Sequence, residues 1–441
     1  MSPCVGDSAG GVRCGIIVRI PYRDAETTTD PRCVTMRLTH LSLTNFRNYS
    51  RLELDLPEGV TLLQGDNAQG KTNLLESIYY LATSRSPQTS AEMELVNWLV
   101  RDDIAAFTRL VADILWDGRT QRVELVLAPA ANGRANGLTF RKQIRINGVP
   151  KRAMDLIGLV NVVIFRPQDI DLVSGSPSLR RRYLDAMLCQ LDNQYCRTLA
   201  LYNRVLNQRN CLLRTLRERT CDPAQLEFWD DRLVEHGCYV TARRYDGLFA
   251  LSRIALELHQ DMTEQREPLA LLYRPSISCS DSAPPDGEAV LSPLTDEWHL
   301  GRTPASSMVS AFREALRGSR KEEIARGLTL VGPHRDDFRF LSAAVDLSIY
   351  GSRGQQRTAA LTLKLAETEV VRRVKGYWPV LLLDDVMSEL DGQRRLRLME
   401  LVTGATQTVI TTTDVDAYSI QFLSKVARYR VKEGRLEQLE D

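Results

Sequence analysis

Eight consecutive residues, Gly65, Asp66, Asn67, Ala68, Gln69, Gly70, Lys71 and Thr72, fit the pattern G-x-x-x-x-G-K-[ST] at every fixed position. The pattern constrains the fold because its chemistry needs a particular setting. Backbone N–H groups can wrap a phosphate only where glycines let the chain turn tightly, and the next helix must aim its N-terminus at the negative charge. Both flanks suit this. Residues 60–63 form a short apolar run, and Leu74, Leu75, Ile78, Tyr79 and Leu81 recur at helical spacing after the loop. The segment reads as a nucleoside-triphosphate site in an α/β chain, with residues 65–72 and Asn73 around the phosphates. Lys71 is expected to reach the β- and γ-phosphates and Thr72 to offer its hydroxyl to Mg²⁺.

A metal at Thr72 needs a carboxylate from a second strand. Val380, Leu381, Leu382 and Leu383 read as a buried parallel strand ending in Asp384 and Asp385. Asp384 is expected to hold Mg²⁺ through its water shell, and Asp385 to orient or deprotonate an attacking water. An aspartate ending an apolar run also suits a helix cap; downstream of a phosphate loop, the metal role is the stronger reading.

The chain between these motifs divides by pattern. Residues 107–149 alternate like antiparallel strands, with turn signals at Ala131-Asn132-Gly133 and Asn147-Gly148. Residues 178–265 are nearly free of Gly and Pro and helical in period, enough for three or four helices. Residues 275–304, rich in Ser, Pro and Asp, read as an irregular acidic excursion. The expected division is an extension over 1–35 preceding a possible natural start at Met36, an ATPase lobe from 36–175, a helical second lobe from 176–320, and the rest of the ATPase lobe from 321–441. The fold class is α/β: a P-loop head with a β-rich segment and an inserted helical lobe.

Net charge is +1, so any nucleic-acid partner must be met by a local basic surface. The longest apolar runs are far below the ~20 residues that span a bilayer, so no membrane partner is expected. Nine scattered cysteines without a C-x-x-C pair fit reduced thiols in the cytoplasm. Arg180, Arg181 and Arg182 read, as a charge run, as a solvated helix start, and His334 by default as a surface or capped histidine.

Ser352, Arg353, Gly354, Gln355 and Gln356 precede a helical stretch; Ser352 can cap it with Gln355 closing a capping box. The same Ser-x-Gly-Gln string, followed by the apolar-Asp-Asp strand and Ser388-Glu389-Leu390-Asp391, resembles the signature motif, Walker B and D-loop of ABC-type ATPases. Lys71 and Asp384 stand over three hundred residues apart, which resembles the SMC and RecN branch; long heptads are lacking, which disfavours a full coiled-coil arm. Leu43-Thr44-Asn45-Phe46-Arg47-Asn48-Tyr49, Arg166-Pro167-Gln168-Asp169, Tyr202-Asn203-Arg204-Val205-Leu206-Asn207-Gln208-Arg209-Asn210 and Gly332-Pro333-His334-Arg335-Asp336-Asp337 are similar to strings of the RecF family.

That resemblance implies an ATP-dependent homodimer in which Ser352 of one copy closes over the γ-phosphate held by the other. It implies Gln168 as the Q-loop residue sensing Mg²⁺ and the γ-phosphate, Arg47 and Asn48 near adenine or ribose, and His334 near the nucleotide or interface. It further implies ATP and Mg²⁺ as cofactors, binding of single- and double-stranded DNA at gaps, RecA loading with RecR and RecO, and slow hydrolysis that resets the cycle. Two departures stand out. Ser84-Arg85-Ser86-Pro87-Gln88 replaces an expected Ser-Phe-Arg-like segment, and Thr411-Thr412-Thr413-Asp414 occupies the switch position, where threonine can touch a γ-phosphate but not titrate near pH 7. The alternatives are a non-hydrolysing nucleotide switch or scaffold, and another ABC-type ATPase subunit.

Overall fold

The computed structural model describes residues 35–89, 91–100, 107–129, 140–219, 222–264, 267–277 and 305–439, with the side chains of 305 and 306 left aside. The N-terminal stretch 1–34, the Ala131-Asn132-Gly133 turn and nearly all of the Ser/Pro-rich excursion lie outside the described residues.

The chain opens with a hairpin, β1 (Met36–Phe46) and β2 (Tyr49–Asp55), and then β3 (Gly59–Gln64) runs into α1 (Lys71–Thr83). A meander follows: β4 (Thr108–Trp116), β5 (Arg119–Pro129), β6 (Phe140–Ile146) and β7 (Val149–Lys151). Next come α2 (Ala153–Leu156), β8 (Val162–Phe165), α3 (Asp171–Ser174), and three helices, α4 (Pro177–Leu191), α5 (Asn193–Glu218) and α6 (Leu226–Met262). After β9 (Leu269–Arg274) come α7 (Ala305–Arg326), β10 (Asp337–Ser342), β11 (Val345–Asp346) and α8 (Leu347–Tyr350). The chain ends with α9 (Arg353–Lys375), β12 (Val380–Asp384), α10 (Gly392–Gly404), β13 (Gln407–Thr412), α11 (Ile420–Leu423), β14 (Ala427–Lys432) and β15 (Arg435–Gln438).

Among the described residues two six-stranded sheets form the head. One is antiparallel, in the order β2-β1-β4-β5-β6-β7; its Asp117-Gly118 and Asn147-Gly148 turns have φ of 48°, 74°, 51° and 79°. Positive φ at both central residues matches strand twist, which is why Asn-Gly and Asp-Gly close such hairpins. The other sheet runs β15-β14-β3-β13-β12-β8, parallel from β14 to β8. Every residue of β12 is buried. Val380 and Leu382 pack toward the antiparallel sheet and α1, while Leu381 and Leu383 pack toward α9 and α10. A strand covered on both faces reads as one apolar run rather than an alternation. Gln407 stitches the two sheets together: its side chain accepts from Leu38 N (2.8 Å) and donates to Leu38 O (2.7 Å).

The helical layer is built on α4, α5 and α6, joined by α7 and the small β11-β10-β9 sheet around one apolar cluster. Arg209 of α5 is fully buried there. It donates to Asp230 of α6 (2.7 Å), Glu323 of α7 (2.6 Å) and Thr329 (2.8 Å).

One expectation fails in part in this layer. The arginine run at the start of α4 is solvated at Arg182 alone: Arg180 is buried and forms a bidentate pair with Asp337 of β10 (2.7 and 2.9 Å), and Arg181 donates to Asp336 O. His334 is half-buried and capped. Its ring bonds Tyr202 Oη (2.7 Å) and Thr329 O (3.2 Å), and burial pushes its pKa down to about 4. No helix among the described residues is long and apolar enough to cross a membrane.

Candidate nucleotide site

The parallel strands bring the chemistry to their C-terminal edge. Gly65 follows β3, Asp384 and Asp385 end β12, Thr411 and Thr412 end β13, and the turn carrying Gln168 follows β8. Open α/β sheets place ligands at this edge because loops and helix N-termini converge there.

The loop's glycines are fixed by close approaches. A Cβ on Gly65 would sit 2.4 Å from Val431 O, and one on Gly70, at φ 115°, would sit 2.4 Å from Asn48 Nδ2. Ala68 also lies at positive φ, 64°. Gly70 is the N-cap of α1, with no side-chain cap and no acidic residue in the first turn. The positive end of that helix is therefore left to whatever anion the loop holds.

Lys71, only 7% exposed, folds back over the loop and donates to Gly65 O (2.6 Å) and Asp66 O (2.7 Å). Burial lowers its pKa, and Asp385 and Asp384 pull it the other way. Thr72 Oγ1 lies 2.8 Å from Asp384 Oδ1, and Thr411 Oγ1 donates to the same carboxylate oxygen at 2.9 Å. Asp385 takes the left-handed φ of 49°, uncommon for a side-chain-bearing residue, with its N–H held by Thr411 O and Oγ1. Burial raises its carboxyl pKa. The two carboxylates differ in setting: one is fixed between two hydroxyls and the other extends from a left-handed backbone.

Both end hairpins brace the loop. Asn48 donates to Gln69 O (2.8 Å) and accepts from Asn73 Nδ2 (2.8 Å), Tyr49 Oη donates to Gly70 O (3.0 Å), and Gly434 N, from the β14–β15 turn, donates to Gln69 O (3.1 Å). Arg47 is engaged by Glu76, a buried residue of α1 (2.8 and 2.9 Å), and by Glu94 O. Glu76 also receives the hydroxyl of Ser86, so the departing Ser84-to-Gln88 segment serves here to hold Glu76.

Gln168 stands exposed in a single 3-10 turn directly after β8, where Asp169 caps Arg166 N (2.9 Å). Ser352 is exposed at the N-cap of α9 and closes a capping box with Gln355 (2.9 and 3.2 Å). Among the described residues no hydrogen bond or ion pair joins Gln168 or Ser352 to Thr72 or Asp384. Thr411 and Tyr49 are partners that motif spacing does not reveal. The signal for Thr411 was its position at the end of the strand beside Asp384.

The residues fit a magnesium nucleotide. Mg²⁺ takes one or two protein oxygens and completes its shell with phosphate and water, and Thr72 with Asp384 supplies that pair. The uncapped helix start and the Lys71 ammonium suit the phosphates.

The chain matches the family model described as RecF/RecN/SMC N terminal domain over residues 37–434. It is 42% identical over 411 residues to the DNA replication and repair protein RecF of Roseiflexus castenholzii, covering 91% of this chain and 99% of the relative. It is also 42% identical over 409 residues to the same-named protein of Chloroflexus aurantiacus, with the same coverage. A solved structure of the recombination mediator protein RecF-ATPrS in the RecFOR pathway superposes with a TM-score of 0.77 at 31% identity, covering 92% of this chain and 98% of that one. The fold is that of an ABC-type ATPase head of this group.

Proposed function

Because the chain belongs to the RecF family, within the RecF/RecN/SMC N-terminal domain group, we propose that it is an ATP- and DNA-binding protein of DNA replication and repair. The observation that carries this reading is the Thr72–Asp384 oxygen pair, held at the mouth of a phosphate loop whose helix lacks any cap of its own. ATP with Mg²⁺ binds at residues 65–73, with Lys71 and Thr72 on the phosphates and metal and Asp384 on the metal. Gln168 follows the metal and the γ-phosphate, and Asp385 orients the attacking water. Arg47 and Asn48 shape the base side of the site.

Ser352 acts in trans. It is exposed at a helix N-terminus, its hydrogen bonds stay within its own cap, and a second copy's γ-phosphate would meet both hydroxyl and dipole. ATP then joins two copies over DNA, and slow, DNA-stimulated hydrolysis separates them. In the cytoplasm the dimer acts at single-strand gaps with RecR and RecO to promote RecA loading. The head is made by residues 36–175 and 321–441, and the helical lobe by 176–320.

Light scattering with ATP tests the arrangement. Lys71→Met should lose ATP binding and dimers together, whereas Ser352→Arg should keep monomer ATP binding and lose only the dimer. Normal dimers from Ser352→Arg would refute the composite site. Phosphate release with and without duplex DNA separates a turning-over ATPase from a non-hydrolysing scaffold.

A further inference from the structure

Helix α5 carries five arginines and no Asp or Glu before its last residue, Glu218. Arg209 is spent inside the lobe, but Arg197, Arg204 and Arg214 lie on the solvent side. Several surface arginines elsewhere in this protein are paired on their own helix: Arg232 with Glu235, Arg326 with Glu322, Arg372 with Glu369, and Arg397 with Glu400. Among the described residues no carboxylate lies within ion-pair distance of Arg204, Arg214 or Lys151, and Arg197 meets only Asp155, at 3.8 Å. That contact also locates the neighbour. Asp155 belongs to α2, packed against α5 just beyond β7, so exposed Lys151 extends the basic surface onto the sheet edge. In a chain of net charge +1, such an unpaired concentration is a local feature.

The spacing suits a polyanion. Arg197 and Arg204 are two turns apart on one face, about 10 Å along the axis, and Arg214 stands about 25 Å from Arg197. Between them Asn207 and Gln208 are exposed, and their amides donate well to phosphate oxygens. The helix tyrosines, Tyr195 and Tyr202, are 0% and 1% exposed, so the face offers no aromatic platform of the kind on which single strands stack. Leu201 is the one large apolar side chain exposed on this helix, whereas protein interfaces centre on an apolar core.

We propose that the solvent face of α5, continued by Lys151 of β7, binds the phosphodiester backbone of duplex DNA. This placement rests on the DNA-binding reading above and adds the surface and the form of nucleic acid. The contacts are to backbone, so they hold and orient duplex without reading its sequence.

The test uses the full chain with ATP, Mg²⁺ and a fluorescein-labelled duplex of about 30 base pairs, titrated across salt concentrations. Arg197→Ala/Arg204→Ala should weaken binding about tenfold and lower the slope of log affinity against log salt by about 1 per arginine. Arg204→Lys should keep the slope. Alanine favours helix, so α5 persists, and ATP binding and ATP-dependent dimerisation should be unchanged. Wild-type affinity and slope in the double variant would overturn the placement. So would unchanged duplex binding with lost retention on immobilised polyglutamate, which would assign the face to an acidic protein. A wild-type chain that binds no duplex under any condition would remove the underlying DNA-binding reading itself.

Discussion

Thr72 Oγ1 and Asp384 Oδ1, from residues 312 positions apart, meet at 2.8 Å, and Thr411 reaches the same oxygen from the intervening strand. The hydroxyls hold the carboxylate in one orientation, with one oxygen of each residue ready to exchange this contact for a metal. Asp384→Asn and Thr72→Val should each remove most of the Mg²⁺ dependence of ATP binding. A hydrogen bond to a charged group contributes about 1.5–3 kcal/mol, so calorimetry with and without Mg²⁺ should register a roughly ten- to hundredfold loss.

Thr411 ties Asp384 to Asp385 by donating to one carboxylate and accepting the other residue's N–H (3.0 Å). Thr411→Val keeps the β-branched shape and deletes both bonds. Phosphate release should fall about tenfold with ATP affinity changed far less, and Thr411→Ser should restore the rate.

Gly70 is fixed by two separable causes, its φ of 115° and the 2.4 Å approach of Asn48 to any added Cβ. Gly70→Ala should abolish ATP binding and lower Tm. Adding Asn48→Ala removes the clash but not the backbone strain of about 1–2 kcal/mol, so thermal melts of the double variant should recover only part of the loss.

His259 is buried and His334 half-buried, and desolvation takes both pKa values down to about 4. Unfolded, each titrates near 6.5. Between those values the unfolded chain binds the extra proton, so the stabilisation is complete above pH 6.5 and is lost as pH falls toward 4. Each histidine contributes up to roughly 3 kcal/mol by this route. Urea midpoints should drop steeply from pH 6.5 to 4.5, and His334→Gln should flatten that drop.

Arg209→Ala should cost about 3–5 kcal/mol, because it strands Glu323 as a buried charge and leaves Asp230 to Arg320 alone. Arg209→Met/Glu323→Leu, which removes charge from both sides, should recover part of that in denaturant melts.

The α/β class and the phosphate loop were legible because their information is local: a glycine pattern, an apolar strand and a helical period lie side by side. Asp384 was legible because a strand buried on both faces is a continuous apolar run. Thr411 was legible only by its resemblance to the switch position; its bond to Asp384, like the contacts of Tyr49 and Glu76, was not, since each depends on a partner brought close by strand order, and β13 standing between β3 and β12 cannot be read from spacing. Arg180 misled for the opposite reason. Its place in a charge run suggests solvent, but Asp337, 157 positions away, pairs with it.

The β14–β15 turn, through Gly434 and Glu433, clasps Gln69 from below. On the ribosome this sets an order of events. Lys71 emerges long before Asp384, Thr411 or Gly434 has been synthesised, so the nascent phosphate loop has neither the carboxylate that meets Thr72 nor its floor. Closing it awaits contacts of very long sequence separation, the slow kind in folding. A stalled or truncated chain ending before residue 434 is therefore left without the brace that shapes its ATP site, and competence to bind nucleotide becomes a mark that translation has passed that turn.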